Sequence, residues 1–169
     1  MYNCLASEGV YNHLYTIEKI TNDEGKILYE HQASNQQLLN QDTCLVLSQL
    51  LTSSFNDVFS TYLQATMADY QLDNINACKT GSTDFDNLAV AYNPQVLVAS
   101  WVGYDDNREM TTTADKTVAK KVVYDVLNYT NENYEVSWYQ PTDQIQQIPI
   151  NPLTGDFDEN GTIYWFKKE

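Results

Sequence analysis

Between residues 75 and 103 three extended runs are separated by only two short turns, and few architectures accept that arrangement. Ile75-Asn76-Ala77-Cys78-Lys79 runs on to Ser82, the turn Thr83-Asp84-Phe85-Asp86 leads into Asn87 to Tyr92, and a turn at Asn93-Pro94 leads into Val96 to Gly103. Links this short permit antiparallel pairing and exclude a parallel crossover, which needs about a dozen residues. The expected unit is a three-stranded antiparallel meander. In its last strand Val96, Val98, Ser100 and Val102 alternate with Leu97, Ala99 and Trp101, so both faces are apolar and both are expected to lie under helices. The fold class that follows is α+β, an antiparallel sheet flanked by helices.

The flanking sequence supplies those helices. Leu5 and Ala6 read as a last helical turn with Gly9 as its C-cap. Tyr15 to Ile20 and Lys26 to Glu30 alternate on either side of Asn22-Asp23-Glu24-Gly25, which signals a hairpin. Asn40 can cap a helix with apolar positions Cys44, Leu47, Leu50 and Leu51, and a second helix is expected from Val58, Phe59, Tyr62, Leu63, Met67 and Tyr70. Ala114 to Thr130 is amphipathic, with Val118, Val122, Val123, Val126 and Leu127 on one face; Lys116, Lys120 and Lys121 read as its solvated side. From Asn131 onward Asn, Gln and Pro accumulate, so residues 1–132 are read as the domain and 133–169 as a linker and short tail.

Charge narrows the partners. The net charge is −14, which disfavours nucleic acid and anionic membrane surfaces. No run approaches the roughly 18 apolar residues of a membrane helix. Cys4, Cys44 and Cys78 are unpaired by spacing, and neither His13 nor His31 stands at metal-ligand spacing from them, so no metal or other cofactor is implied. Cys78 reads as a small inward-facing side chain and not as a catalytic thiol. Asp156-x-Asp158-x-Asn160-Gly161-x-Ile163 begins like a calcium loop, but Lys167 stands where a bidentate Glu is needed, leaving a Gly-containing turn.

The chemistry is concentrated at Lys79-Thr80-Gly81-Ser82-Thr83. An ammonium, neighbouring hydroxyls and strand N–H groups all donate to negative charge, and a Gly lets another backbone approach, so the segment suits a carboxylate or a developing oxyanion.

With Asp86, Ala91-Tyr92-Asn93-Pro94 and Trp101-Val102-Gly103-Tyr104-Asp105-Asp106-Asn107 following in order, the chain resembles the C-terminal part of the transpeptidase domain of Gram-positive class A penicillin-binding proteins. Ala6-Ser7-Glu8-Gly9-Val10-Tyr11 and Ile150-Asn151-Pro152-Leu153-Thr154-Gly155 extend the resemblance to both ends. It implies an incomplete penicillin-binding/β-lactamase-like domain of a serine D-alanyl-D-alanine acyltransferase, whose substrate is the peptidoglycan stem peptide and whose inhibitors are β-lactams. It further implies a bifunctional parent with a glycosyltransferase half, a membrane anchor outside this chain, and a location on the outer face of the cytoplasmic membrane. By the same resemblance Lys79 and Thr80 hold the terminal carboxylate, the Ser82 N–H forms half of an oxyanion hole, and Gly81 and Thr83 complete the binding strand.

The nucleophile is expected in a Ser-x-x-Lys motif, and no Ser of this chain has Lys three residues later. Ser54-Phe55-Asn56 matches Ser-x-Asn formally but follows the hairpin it should precede, and reads as coincidence. The chain alone is therefore expected to be inactive, with both motifs upstream of Met1. Leu88 and Ala91 replace the family's usual Trp and Gly. A non-catalytic module binding cell-wall peptide, or an interaction piece docking a partner through its acidic surface, stays open beside the transpeptidase reading.

Overall fold

The computed structural model describes residues 1–59 and 64–168. In chain order these form α1 (Tyr2–Ala6), β1 (Val10–Asn12), β2 (Lys19–Thr21), β3 (Ile27–Glu30), β4 (Asn35–Gln37), α2 (Gln41–Leu51), β5 (Ala77–Ser82), β6 (Asp86–Tyr92), β7 (Leu97–Gly103), α3 (Thr113–Asn133), β8 (Ile145–Ile150) and β9 (Thr162–Lys167). The meander forms as the sequence implies. β5, β6 and β7 pair antiparallel in that order, in register Ala77↔Tyr92 and Tyr92↔Leu97.

Each turn of the meander closes on its own side chains. Thr83 Oγ1 accepts from the Phe85 and Asp86 N–H groups, both at 3.1 Å, and donates to Asp86 Oδ1 at 2.8 Å. Asn93 does the same for the second turn, accepting from Gln95 and Val96, while its Nδ2 donates to buried Asn76 at 3.0 Å. These short polar residues replace the ladder bonds that a turn cannot make.

Pleat periodicity then sorts the strands into two faces. On one, Cys78, Ala89 and Ala91 pack against Ala119, Val123 and Leu127 of α3, with Met67. On the other, Ala77 and Tyr92 join Leu5, Cys44, Leu45, Tyr139, Ile145 and Trp165. Tyr92 is fully buried, and its hydroxyl shares a 2.9 Å hydrogen bond with Ser48. Small residues on the α3 side let a helix lie close; a large aromatic on the other fills the space beneath α2.

Helix ends follow their caps. Asn40 accepts from the Thr43 N–H at α2, and Thr112 with Asp115 forms a reciprocal capping box at α3. α1 closes at Ser7, with the Gly9 N–H returning to the Cys4 carbonyl at φ +92°. The expected hairpin is present as β2–β3, and β1–β4 extends it at its base.

Several sequence expectations are corrected. The helix read from Val58 to Tyr70 is not helical where it is described: 3-10 turns span Thr52–Phe55 and Asp57–Phe59, and Met67 N–H bonds to the Ser54 carbonyl at 2.8 Å. That return drops Met67 into the α3 cluster without helical periodicity; Tyr62 and Leu63 lie outside the described residues. In α3 the buried stripe is Ala119, Val123 and Leu127, while Val118, Val122 and Val126 are exposed. In α2, Leu47 and Leu50 face outward into an apolar groove against Tyr164 and Phe166, and Ser48 takes an interior place through its bond to Tyr92. β7 is covered on both faces only near Leu97, for Trp101 is 64% exposed.

Residues expected as linker and tail instead pack on the domain. β8 and β9 form an antiparallel hairpin against α2. The Gln49 side chain serves it like a neighbouring strand, donating to the Ile163 carbonyl at 3.1 Å and accepting from the Trp165 N–H at 2.7 Å. Tyr139 Oη donates to the Ala6 carbonyl at 2.7 Å, and Thr142 Oγ1 to Asp42 at 2.5 Å. Gly161 sits where a Cβ would come within 2.4 Å of the Ile150 carbonyl oxygen, so the glycine in this turn serves a close backbone approach.

Trp165→Ala is predicted to lower the unfolding free energy of the whole domain by about 3 kcal/mol, because it empties a shared core site. Chemical denaturation read at a probe in β5–β7 checks this; an unchanged midpoint would mean that the hairpin is a separate unit.

Candidate functional site

β5 is the strand on which the expected site residues lie, and it is an edge strand: among the described residues nothing pairs with its outer side. Its inner side is fixed through all six of its residues to β6, from Ala77↔Tyr92 to Ser82↔Asn87. Ser54 Oγ adds a 2.7 Å hydrogen bond to the Cys78 carbonyl. The strand is thus rigid on one edge and open on the other, a geometry that accepts an extended peptide as an added strand.

The motif residues divide between the two faces. Thr80 and Ser82 fall on the Cys78 side and line a cavity of about 400 Å³ with Gly81, Thr83, Asp84, Asn87, Leu88, Thr66, Lys116, Ala119 and Lys120. Lys79 falls on the Ala77 side, is exposed, and turns its ammonium onto the Thr80 carbonyl. The structure therefore brings Thr80, Gly81 and Ser82 together and sets Lys79 apart from their cavity. Thr83 is at the cavity edge, but its hydroxyl is engaged in the β5–β6 turn.

Gly81 has no heavy atom within 4 Å of where a Cβ would stand, and its φ lies outside the left-handed region. Neither internal packing nor backbone conformation calls for glycine there. Open space beside an edge strand is what an incoming backbone requires. On the same face, opposite Gly81 in register, stand Leu88 and then Trp101, 40% and 64% exposed, so the strand's free end is bordered by apolar surface.

Cys78 borders the site without joining its chemistry. Burial pushes its thiol up to about 12, against the opposing pull of Lys79 and Lys120. It is protonated at neutral pH and non-nucleophilic, in agreement with the inward-facing reading. Ser54-Phe55-Asn56 is likewise structural: Ser54 holds the Cys78 carbonyl, Phe55 packs into the α3 cluster, and Asn56 Oδ1 accepts from Val58 N–H at 2.8 Å.

The stretch Trp101 to Asn107 and the residues after it buttress the site. Tyr104 Oη donates to Asp115 at 2.9 Å, with Arg108 stacked 3.9 Å over its ring, so the segment after β7 is tied to the first turn of α3. Hydrogen bonds from Thr112 and from Tyr104 hold the Asp115 carboxyl below its ordinary range. Asn87 Nδ2 reaches Met110 Sδ at 3.0 Å, and Met110 N–H bonds to the Asp84 carbonyl, which ties the segment before α3 to two residues of the cavity. Lys116 and Lys120 are the site residues that sequence reasoning placed on a solvated face. Their i, i+4 spacing around Ala119 is visible in the sequence; the docking of α3 on β6 and β7, which brings them to this cavity, is not.

No protein-family model matches the sequence. The chain's homologues are penicillin-binding proteins over about nine-tenths of its length. It is 25% identical over 156 residues to penicillin-binding protein 2D of Bacillus subtilis, covering 91% of this chain and 23% of that protein. It is 28% identical over 160 residues to penicillin-binding protein 1B of Haemophilus influenzae, covering 94% of this chain and 20% of that protein. The crystal structure of penicillin-binding protein 1A from Haemophilus influenzae superposes with a TM-score of 0.82 at 15% identity, over 98% of this chain and 30% of that one. The chain thus spans less than a third of each relative, and its fold is that of a piece of a penicillin-binding protein. Relatives in both Bacillus and Haemophilus give no preference to the Gram-positive branch read from the sequence.

Gly81→Ala is predicted to leave thermal stability unchanged or to raise it by up to about 1 kcal/mol, since alanine is favoured over glycine in a strand. A loss exceeding 1 kcal/mol by thermal denaturation would show that Gly81 serves the fold and not an approaching ligand.

Proposed function

We propose that this chain is the Lys-Thr-Gly-bearing part of a transpeptidase domain, which binds the D-alanyl-D-alanine end of a peptidoglycan stem peptide along β5 and takes β-lactams at the same place. The observation that carries this reading is the open edge of β5 with unfilled space over Gly81, placed within a strand whose hydroxyls face a cavity. An extended peptide bonds to such an edge through its backbone, and its terminal carboxylate reaches the Thr80 and Ser82 hydroxyls. The Ser82 N–H acts as one oxyanion donor; losing one such donor costs about 3–4 kcal/mol of transition-state stabilisation in acyl transfer. Lys79, on the opposite face of β5, is exposed and keeps its ammonium on the Thr80 carbonyl, apart from the hydroxyl cavity.

The acyl-transfer sequence divides accordingly. A serine oxygen supplied by sequence outside these residues attacks the penultimate D-alanyl carbonyl, the terminal D-alanine leaves with the proton, and an amine of a neighbouring strand displaces the serine. This chain's part is to orient the peptide and to stabilise the oxyanion. The parent is a bifunctional class A protein on the outer face of the cytoplasmic membrane, held there by an anchor beyond this chain. No helix among the described residues is long and apolar enough to cross a membrane.

The absence of a Ser-x-x-Lys within the sequence favours one second reading, a module that binds cell-wall peptide without chemistry. Incubation with a fluorescent penicillin, followed by intact-mass measurement, separates the two. The transpeptidase reading predicts no adduct on this chain and one covalent adduct on the chain extended upstream through a Ser-x-x-Lys. An extended chain that stays unlabelled supports the binding module, and an adduct on the present chain would overturn the assignment of the nucleophile.

A further inference from the structure

The cavity beneath Thr80 and Ser82 has a second wall that the strand motif does not supply. Lys116 and Lys120 project into it from one face of α3, on either side of buried Ala119. Like charges four residues apart on a helix repel each other, and an anion between them reverses the sign. The Lys120 ammonium is steadied by the Thr66 carbonyl at 3.0 Å, and Lys116 has no ion pair among the described residues. Of the nearby acids, Asp115 is committed to Tyr104 and to its own helix cap, and Asp125 to Lys121 on another side of the helix. Asp84 alone among acids lines the cavity.

The wider field makes this local charge consequential. With a net charge of −14, the protein repels an anionic ligand at long range, and the two hydroxyls are neutral donors. Lys79, on the opposite face of β5, does not line the cavity. Local cations are needed where the carboxylate comes to rest, and the nearest ones belong to α3.

We propose that Lys116 and Lys120 are specificity-determining residues of the β5 site, forming a cationic wall that selects a peptide ending in a free carboxylate over one ending in a neutral group. The inference rests on the reading of β5 as a peptide-binding strand. The two lysines do not touch the reacting carbonyl; they set which chain end is held beside it.

The test is an amide-shift titration of the full chain with diacetyl-L-lysyl-D-alanyl-D-alanine and with its C-terminal amide, in wild type, in Lys116→Gln with Lys120→Gln, in Lys116→Gln alone, and in Thr80→Val. The expected result is that the acid binds at least about tenfold more tightly than the amide, that the double variant loses most of that ratio while its affinity for the amide is unchanged, and that Lys116→Gln alone loses part of it. Added salt narrows the wild-type ratio. The proposal is overturned if the lysine variants retain the full ratio while Thr80→Val weakens the acid, a result that leaves the strand reading standing. If neither peptide moves any β5 resonance, the strand reading fails and this inference falls with it.

Discussion

The burial of β6 is the constraint on which the molecule depends. Its residues pair on both edges, and its two faces are filled by different partners: Ala89 and Ala91 beneath α3, Tyr92 beneath α2 with its hydroxyl on Ser48. A tyrosine in a fully buried place needs a partner for its oxygen, and that single bond positions α2 against the sheet. Once α2 is placed, the β8–β9 hairpin can attach to it through Gln49, and α1 can be closed over by Tyr139. β5 inherits its precision from the same source. It is registered on β6 through six pairs, so its hydroxyls and N–H groups stand at fixed positions although its other edge is open.

That asymmetry connects packing to chemistry. The proposed strand site needs an edge that the fold itself leaves unpaired, and β5 has such an edge among the described residues, with empty space over Gly81. In the proposed role, support from β6 would hold the Ser82 N–H in place without reorganisation, the condition under which a donor best stabilises developing charge. The motif divides between two faces, with the Thr80 and Ser82 hydroxyls toward the α3 cavity and the Lys79 ammonium exposed on the other.

The elements legible in the sequence were those with local causes. The meander came from the two short turns, and Thr83 and Asn93 close those turns with their own side chains. The α2 start came from Asn40, and the place of β5 came from the motif it carries. What could not be read had long-range causes. Met67 is buried through a chain reversal at Ser54 and not through a helix, so its apolar neighbours imitated a periodicity. Val118, Val122 and Val126 look like a core stripe in isolation, whereas the sheet selects the small Ala119 with Val123 and Leu127, which pack on Ala89 and Ala91 of β6. The polar run after residue 133 resembled a linker, yet Tyr139, Ile145 and Trp165 are each buried through partners more than a hundred residues away or on the opposite strand. That Lys116 and Lys120 share a cavity with Thr80 and Ser82 depends on the docking of α3 on β6 and β7, which no local pattern encodes.

The most direct measurement of the central claim, that β5 is a fixed strand with a working open edge, is residue-resolved amide hydrogen exchange on this chain, free and with a saturating D-alanyl-D-alanine peptide. In the free chain the exchange rates should alternate, with the β5 amides that face β6 protected and those that face outward exchanging fast, and the outward set should slow when the peptide is bound. Uniform protection of β5 in the free chain, or outward amides that stay fast at saturation, would contradict it.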